Sequence, residues 1–414
     1  MKKIQQIMAL AVLQSAVSFG TPVCAQPVDV TVNGQAVAFP DVQPYVDARS
    51  QRTLVPVRFV AEKLGLRTQW DAKTGQVTLQ NATTTIRLTV GQSIAHVNGK
   101  QVQLDTAAAL RNGRTMVPLR FISESFDARI DWNAERNLIV IATAAPKQHS
   151  TWLWDASLLL SGQEQERMIE FAAEQQVTSI YLQIDKDIPQ AVYQSFMQKA
   201  QKRQIKVEAL NGRPGWAFPS GHSQIEAFID WVEAYNAAVA PEERFSGLHF
   251  DIEPYVLPEW KSDQTRVVSN WMDSIRLIER RTKANGLRLT LDIPFWLHQV
   301  KVPDTRYSLS AWMLEKADAV VIMDYRNSAL GNDGIIANAQ PILREAGTLG
   351  KQVIVGIETA PSAEGAHTTF HSLPTHVLKT ELQLAKEKLA QHASYAGFAI
   401  HDYNHWTKLK QDSF

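Results

Sequence analysis

Beyond residue 150 the apolar positions follow two alternating rhythms. Short runs of Val, Ile, Leu and aromatic residues recur at 152–155, 179–184, 206–210, 247–253, 288–295, 319–325, 352–358 and 397–403, each reading as a strand buried on both faces. Amphipathic stretches separate them. Ile225, Phe228, Ile229 and Val232 form one apolar helix stripe. Ser161 with Glu164 and Ser223 with Glu226 have capping-box spacing, and Pro189 suits a helix start. Eight strand–helix units over 151–414 predict an α/β fold, a closed (β/α)8 TIM barrel. Little chain follows Tyr403, so the eighth helix should be short.

Upstream the pattern differs. Arg52-Thr53-Leu54-Val55-Pro56-Val57-Arg58-Phe59 returns as Arg114-Thr115-Met116-Val117-Pro118-Leu119-Arg120-Phe121. At the same offset Glu62 matches Glu124, and Trp70-Asp71 matches Trp132-Asn133. Val32-Asn33-Gly34 recurs as Val97-Asn98-Gly99, where Asn-Gly signals a hairpin turn. Each unit reads as a hairpin, a short helix opening at the Pro-Val/Leu-Arg-Phe step, and a strand around the Trp. A unit of this size holds half a core, which explains the duplication. The prediction is a small duplicated α+β domain at 28–143, a polar linker at 144–150, and the barrel.

The doubled R-T-[LM]-V-P-[VL]-R-F pattern resembles the copper-amine-oxidase-like N-terminal domain of secreted and cell-surface bacterial proteins. The resemblance implies adhesion to a wall or glycan. Copper is not expected, because such a site needs clustered imidazoles and this stretch carries only His96. Arg58 and Arg120 are expected to satisfy carboxylates or carbonyls within their own units.

Lys2 and Lys3, the apolar run 7–19 and Val23-Cys24-Ala25 read as an export signal at 1–25, cut after Ala25. A lipid anchor at Cys24 is the rival reading, and Val23 disfavours it. Cleavage removes the single cysteine, so no disulfide or thiolate metal cage is expected. Forty-two basic residues balance 42 acidic ones, which argues against nucleic acid as a partner. No later run reaches the length of a membrane span. The expected location is secreted or cell-surface.

The barrel's strand ends gather polar groups, where such folds place their chemistry. Asp155 closes the first run, Asp251 and Glu253 the fourth, and Asp292 lies in the fifth. Asp324 and Tyr325 end the sixth, Glu358 the seventh, and His401, Asp402 and Tyr403 the eighth. Asp251 and Glu253 are two apart on a strand and so share a face. Proximity raises the pKa of one carboxyl, as a proton donor to a glycosidic oxygen requires.

The segment 245–253, ending Asp251-Ile252-Glu253, resembles the strand-four motif D-x-x-D-x-D-x-E of family 18 glycoside hydrolases, the chitinase-like barrels. The resemblance makes Glu253 the acid and Asp251 the group orienting an N-acetyl substituent. Met323-Asp324-Tyr325-Arg326 resembles that family's M-x-Y-D, making Tyr325 the carbonyl-holding tyrosine. Ser246 and His249 stand where the motif has its first two acids, and Arg326 where the other motif ends in Asp. Glu253 and Glu358 also occupy the positions of the acid/base and nucleophile of retaining barrel glycosidases, which needs the carboxyls about 5 Å apart.

Trp216, Trp260 and Trp296 follow the third, fourth and fifth runs, where loops would line a cleft and indole faces could stack on sugars. Trp231, Trp271 and Trp312 fall in helices and read as core. No H-x-H or H-E-x-x-H spacing occurs, so no metal is expected, and no glycine-rich phosphate loop calls for a nucleotide cofactor. Two functions remain. One is hydrolysis of a glycosidic bond in a polysaccharide or cell-wall glycan. The other is glycan binding or envelope architecture by a barrel that has lost its chemistry.

Overall fold

Eight parallel strands close into a barrel in register order: Gln148–Leu153, Ser179–Gln183, Lys206–Asn211, Gly247–Phe250, Arg288–Pro294, Ala319–Met323, Gln352–Glu358 and Tyr395–His401. The computed structural model describes residues 28–32, 35–81, 84–126, 128–133, 137–143 and 148–409. The expected export signal at 1–25, the Asn33-Gly34 turn and linker positions 144–147 lie outside the described residues. The first barrel strand starts at Gln148, so 148–150 belong to it and not to the linker.

Alternation along each strand divides inside from outside. Leu248, Phe250 and Ile252 face the helices, as do Leu289, Leu291 and Ile293, and all are buried in one large core. The intervening residues fill the lumen, where Trp152, Tyr181, Leu210, Val321, Ile354 and Ala399 pack together. Gly356 makes room for this layer, because a Cβ there would come within 3.2 Å of the Trp152 ring.

Ser161 and Pro189 stand at helix starts, whereas Ser223 does not. Ser161 caps Gly162–Glu174 by accepting the backbone N–H of Glu164, and Pro189 is the cap residue of Gln190–Lys202. Ser223 does not cap: the helix begins at His222, because the Pro219–Gly221 turn leads straight into it, and Ser223 falls inside. The eighth helix is the four-residue Tyr403–Trp406.

In the N-terminal module each repeat supplies a short helix, Val57–Lys63 and Leu119–Ser125, following Pro56 and Pro118. Strands Thr53–Pro56 and Arg114–Pro118 pair antiparallel with Val55 opposite Val117. Since these two valines are equivalent positions, a pseudo-two-fold axis passes between them. Val60 and Ile122, and Leu79 and Ile141, then meet in one core drawn equally from both units. Asp29–Val32 closes the module by pairing in parallel with Leu138–Thr143. Arg58 binds Glu62 of its own unit at 2.8 Å, as expected.

Candidate functional site

Inward-facing residues at the C-terminal ends of strands four to eight build the site. Strand four continues into Asp251, Ile252 and Glu253, with Asp251 and Glu253 on the lumen side and Ile252 in the outer core. Close approach of the preceding loop fixes this backbone. A Cβ on Gly212 would lie 1.7 Å from the Asp251 carbonyl oxygen, so glycine is required there. Asn211 secures the same loop by accepting the Gly212 N–H at 2.9 Å.

Burial drives the Asp251 carboxyl well above the usual carboxylate range, and the charges of Asp292 and Glu253 add to it against the opposing His249. Burial also raises Glu253; Asp292 and Glu364 raise it further, while a hydrogen bond from Tyr255 draws it back. Tyr325 feels the charge of four carboxyls. Its hydroxyl is raised by burial and then by the charges of Glu358, Asp292, Asp251 and Glu253, so it stays a proton donor. These groups act on one another's charge at the C-terminal mouth of the barrel.

Beneath the mouth lies a buried ion network. His249 Nε2 is 2.9 Å from Asp292 Oδ2 and Nδ1 is 3.4 Å from Glu208 Oε2. The Trp152 indole donates to Asp292 at 3.0 Å, and Arg288 lies 3.4 Å from Glu208. Burial opposes a charged imidazole, but the charge and hydrogen bond of Asp292, with those of Glu208, prevail and hold His249 up at about 9. Asp292 is therefore a partner of His249 at the floor of the mouth. Both His249 and Trp152 bind its Oδ2, and the residue is buried at 3% exposure, below the position expected for a sugar-binding group.

Glu358 is held in place by a third chain of contacts. The Trp154 indole donates to His401 Nε2 at 2.8 Å, and His401 Nδ1 lies 3.0 Å from Glu358 Oε2. Burial opposes a cationic ring, but the hydrogen bond and charge of Glu358, with the charges of Asp402 and Asp292, prevail and raise the His401 pKa above its ordinary value. The indole N–H aimed at Nε2 works against that rise, since only an unprotonated nitrogen accepts it. In the neutral ring Nδ1 is the donor to Glu358. Glu358 also accepts the Ala360 N–H at 2.6 Å.

Other expected site residues go elsewhere. Asp324 has the opposite parity to Tyr325 and turns towards helix Ile335–Leu349, where Asn338 donates to it at 3.1 Å. Asp402 caps the last helix, accepting the N–H of His405 at 3.0 Å. Tyr403 lies on the outer wall, its ring 5.6 Å from that of Phe171. Asp155 is exposed and caps a turn through Ser157. Trp216 is buried beside Phe228 and Phe250, with its indole N–H donated to Gln224 at 2.6 Å, so only an edge reaches a cavity of about 550 Å³ that Asp155 and Trp154 also line.

Trp260 and Trp296 are partly exposed and stand together, centroids 6.2 Å apart, with Tyr255 5.1 Å from Trp296. The sequence does not single out Tyr255 or Glu208, and His249 stands out in it only as a departure from the strand-four motif. For Tyr255 the signal was its spacing, two residues after Glu253. Arg326 lies over the Phe295 ring at 5.1 Å and pairs with Asp333 at 2.9 Å. Among the described residues no cluster of three or more His, Cys, Asp or Glu could hold a metal ion.

Residues 31–141 match the family model described as the copper amine oxidase N-terminal domain. A curated relative described as a protease inhibitor, from Brevibacillus choshinensis, is 31% identical over 123 residues, 30% of this chain and 37% of that protein. The chain thus spans little more than a third of the relative's length. Part of the chain is also similar in structure to solved barrels. A chitinase from Bacteroides thetaiotaomicron matches at TM-score 0.43 and 13% identity, covering 63% of this chain and 91% of that one. The glycoside hydrolase domain of PgaB (BpsB) from Bordetella bronchiseptica matches at 0.40 and 11%, covering 63% and 95%. A family 18 chitinase from Cycas revoluta in complex with (GlcNAc)3 matches at 0.39 and 14%, covering 62% and 95%.

Proposed function

We propose that the barrel cleaves a glycosidic bond in a polymer of N-acetylated amino sugars, with Glu253 as the proton donor. One observation carries this reading: burial keeps the Glu253 carboxyl protonated above its ordinary range at the barrel mouth, beside Asp251 and the Tyr325 hydroxyl. Glu253 gives its proton to the leaving oxygen as the C–O bond breaks. The substrate's own acetamido oxygen closes onto C1, Asp251 takes the hydrogen bond of the acetamido N–H, and Tyr325 donates to the carbonyl. Water then opens the ring intermediate while Glu253 takes back a proton. Glu358, tied to His401 and Ala360, serves as a fixed acceptor beside Tyr325 in this scheme.

The reading extends to the whole chain: an exported protein, its 28–143 module holding it to a cell-wall or related glycan while the barrel acts. A mature N-terminus at Gln26 would support export. For the chemistry, Glu253→Gln should lower turnover of aryl glycosides of N-acetylglucosamine oligomers by roughly 10²–10⁴-fold while binding persists. Unchanged turnover would reject Glu253 as the acid.

A binding-only barrel is the second reading. His249 favours it, since at the motif's second acid position it is committed to Glu208 and Asp292 and cannot share a proton with Asp251 as a carboxyl would. Retention of oligosaccharide with no product formed by the wild type separates the two.

A further inference from the structure

Two cavities of the N-terminal module are copies of one another. One, of about 390 Å³, is walled by Pro56, Arg58 and Trp70 of the first repeat and by Arg114 and Thr115 of the second. The other, of about 290 Å³, is walled by Pro118, Arg120 and Trp132 of the second repeat and by Arg52 and Thr53 of the first. Each residue has its counterpart at the constant offset of the repeat. Each cavity is completed by the opposite unit, because the strands exchange partners about Val55 and Val117. The axis that builds one core therefore also builds two like grooves. Both grooves hold an exposed indole, Trp70 at 45% and Trp132 at 53%. The two hairpins also place them alike, with Trp70 opposite Val77 and Trp132 opposite Ile139.

The walls define the ligand chemistry. An indole face offers stacking area to a ring with a flat apolar side, and the surrounding guanidinium and hydroxyl groups are donors for an oxygen-rich ligand. Three of the four arginines already hold carboxylates: Arg58 with Glu62, Arg114 with Asp41 and Arg52 with Asp105. That leaves the grooves close to neutral, which suits hydroxyl- and amide-bearing rings better than phosphate or a strongly acidic chain. Two like grooves on one rigid core suit a ligand that repeats its unit.

We propose that the module is a bivalent receptor for a polysaccharide of N-acetylated amino sugars, one ring stacked on Trp70 and another on Trp132. The identity of the sugar rests on the function proposed for the barrel; the grooves do not.

The test uses the full chain carrying Glu253→Gln, so that polymer is not consumed, sedimented with insoluble chitin and with purified peptidoglycan. Trp70→Ala and Trp132→Ala should each weaken retention roughly 3- to 10-fold. The double variant should lose roughly another 10-fold or more as two-point attachment disappears. Phe at either position should restore most of the retention, and loss on chitin, peptidoglycan or both identifies the source. In the chain with Glu253 intact, turnover of a short aryl glycoside should not change. A double variant that sediments like its parent, Phe variants no better than Ala, or capture by stem peptides instead of glycan strands would overturn the proposal. If the wild type sediments through both tryptophans yet hydrolyses nothing, the barrel reading fails and the grooves stand. Hydrolysis with retention indifferent to both tryptophans is the reverse.

Discussion

His249 Nε2 lies 2.9 Å from Asp292 Oδ2, and the imidazole bridges that carboxylate to Glu208 in the barrel floor. Two buried acids are tolerable in the lumen because this cation lies between them, with Arg288 beside Glu208 and the Trp152 indole on Asp292. Removing it with His249→Gln should cost about 3–5 kcal/mol of unfolding free energy, measured by urea titration at neutral pH. A loss below about 1 kcal/mol would show that the acids are compensated by other groups.

The same bridge sets a pH dependence. His249 is raised from 6.5 to about 9 on folding. Its contribution is therefore whole below the unfolded value and drains away as pH climbs through about 9. Over that window the wild type should lose stability on the order of 3 kcal/mol. Urea midpoints across it should fall for the wild type and stay nearly level for His249→Gln; parallel slopes would contradict the assignment.

Tyr255 donates to Glu253 and favours its carboxylate. Tyr255→Phe should accordingly raise the Glu253 pKa and move the alkaline limb of the pH–rate profile to higher pH. A limb that stays put, or moves down, removes Tyr255 from the acid's control.

Trp154 opposes protonation of His401 by donating to Nε2 at 2.8 Å, while Glu358 favours it. Trp154→Phe removes that donor and should raise the His401 pKa further, so that the ring signal titrates at higher pH than in the wild type. Proton NMR of the ring decides, and a titration that stays put or moves to lower pH would remove Trp154 from the control of His401.

Gly212 and Gly162 make a matched pair. Gly212→Ala places a Cβ 1.7 Å from the Asp251 carbonyl oxygen, so the end of strand four must shift. Stability should fall by about 2–4 kcal/mol, and turnover with it. Gly162→Ala meets nothing within 4 Å at the first position of its helix and should stabilise by about 0.4–1 kcal/mol. Thermal melts of both variants check the contrast.

The barrel was legible because a parallel strand covered on both faces is an unmistakable apolar run, and the 352–358 run coincides with the strand Gln352–Glu358. Strand-internal parity was legible too, which is why Asp251, Glu253, Tyr325 and Glu358 meet. Parity stops being informative once the strand ends. Asp402 and Tyr403 follow His401 in sequence, yet the chain turns into a helix there and carries one into a cap and the other to the outer wall. Asp324 was misplaced for a related reason: adjacency to Tyr325 was read as shared duty, whereas adjacent strand residues face opposite ways. Trp216 was read as a loop aromatic, but the turn after strand three folds its ring back onto Phe228 and Phe250. The partners Trp154, His249 and Glu208 come from different strands, and no local spacing announces such a meeting.

Val55 opposite Val117 has an implication for the module's ancestry and handling. A self-matching strand can zip onto an identical strand as readily as onto its twin, so a single unit cut free would recruit a second molecule of itself and rebuild the interior as a homodimer. The present chain thus resembles a two-subunit assembly sewn into one polypeptide. Cutting it between the units would exchange intramolecular closure for concentration-dependent association.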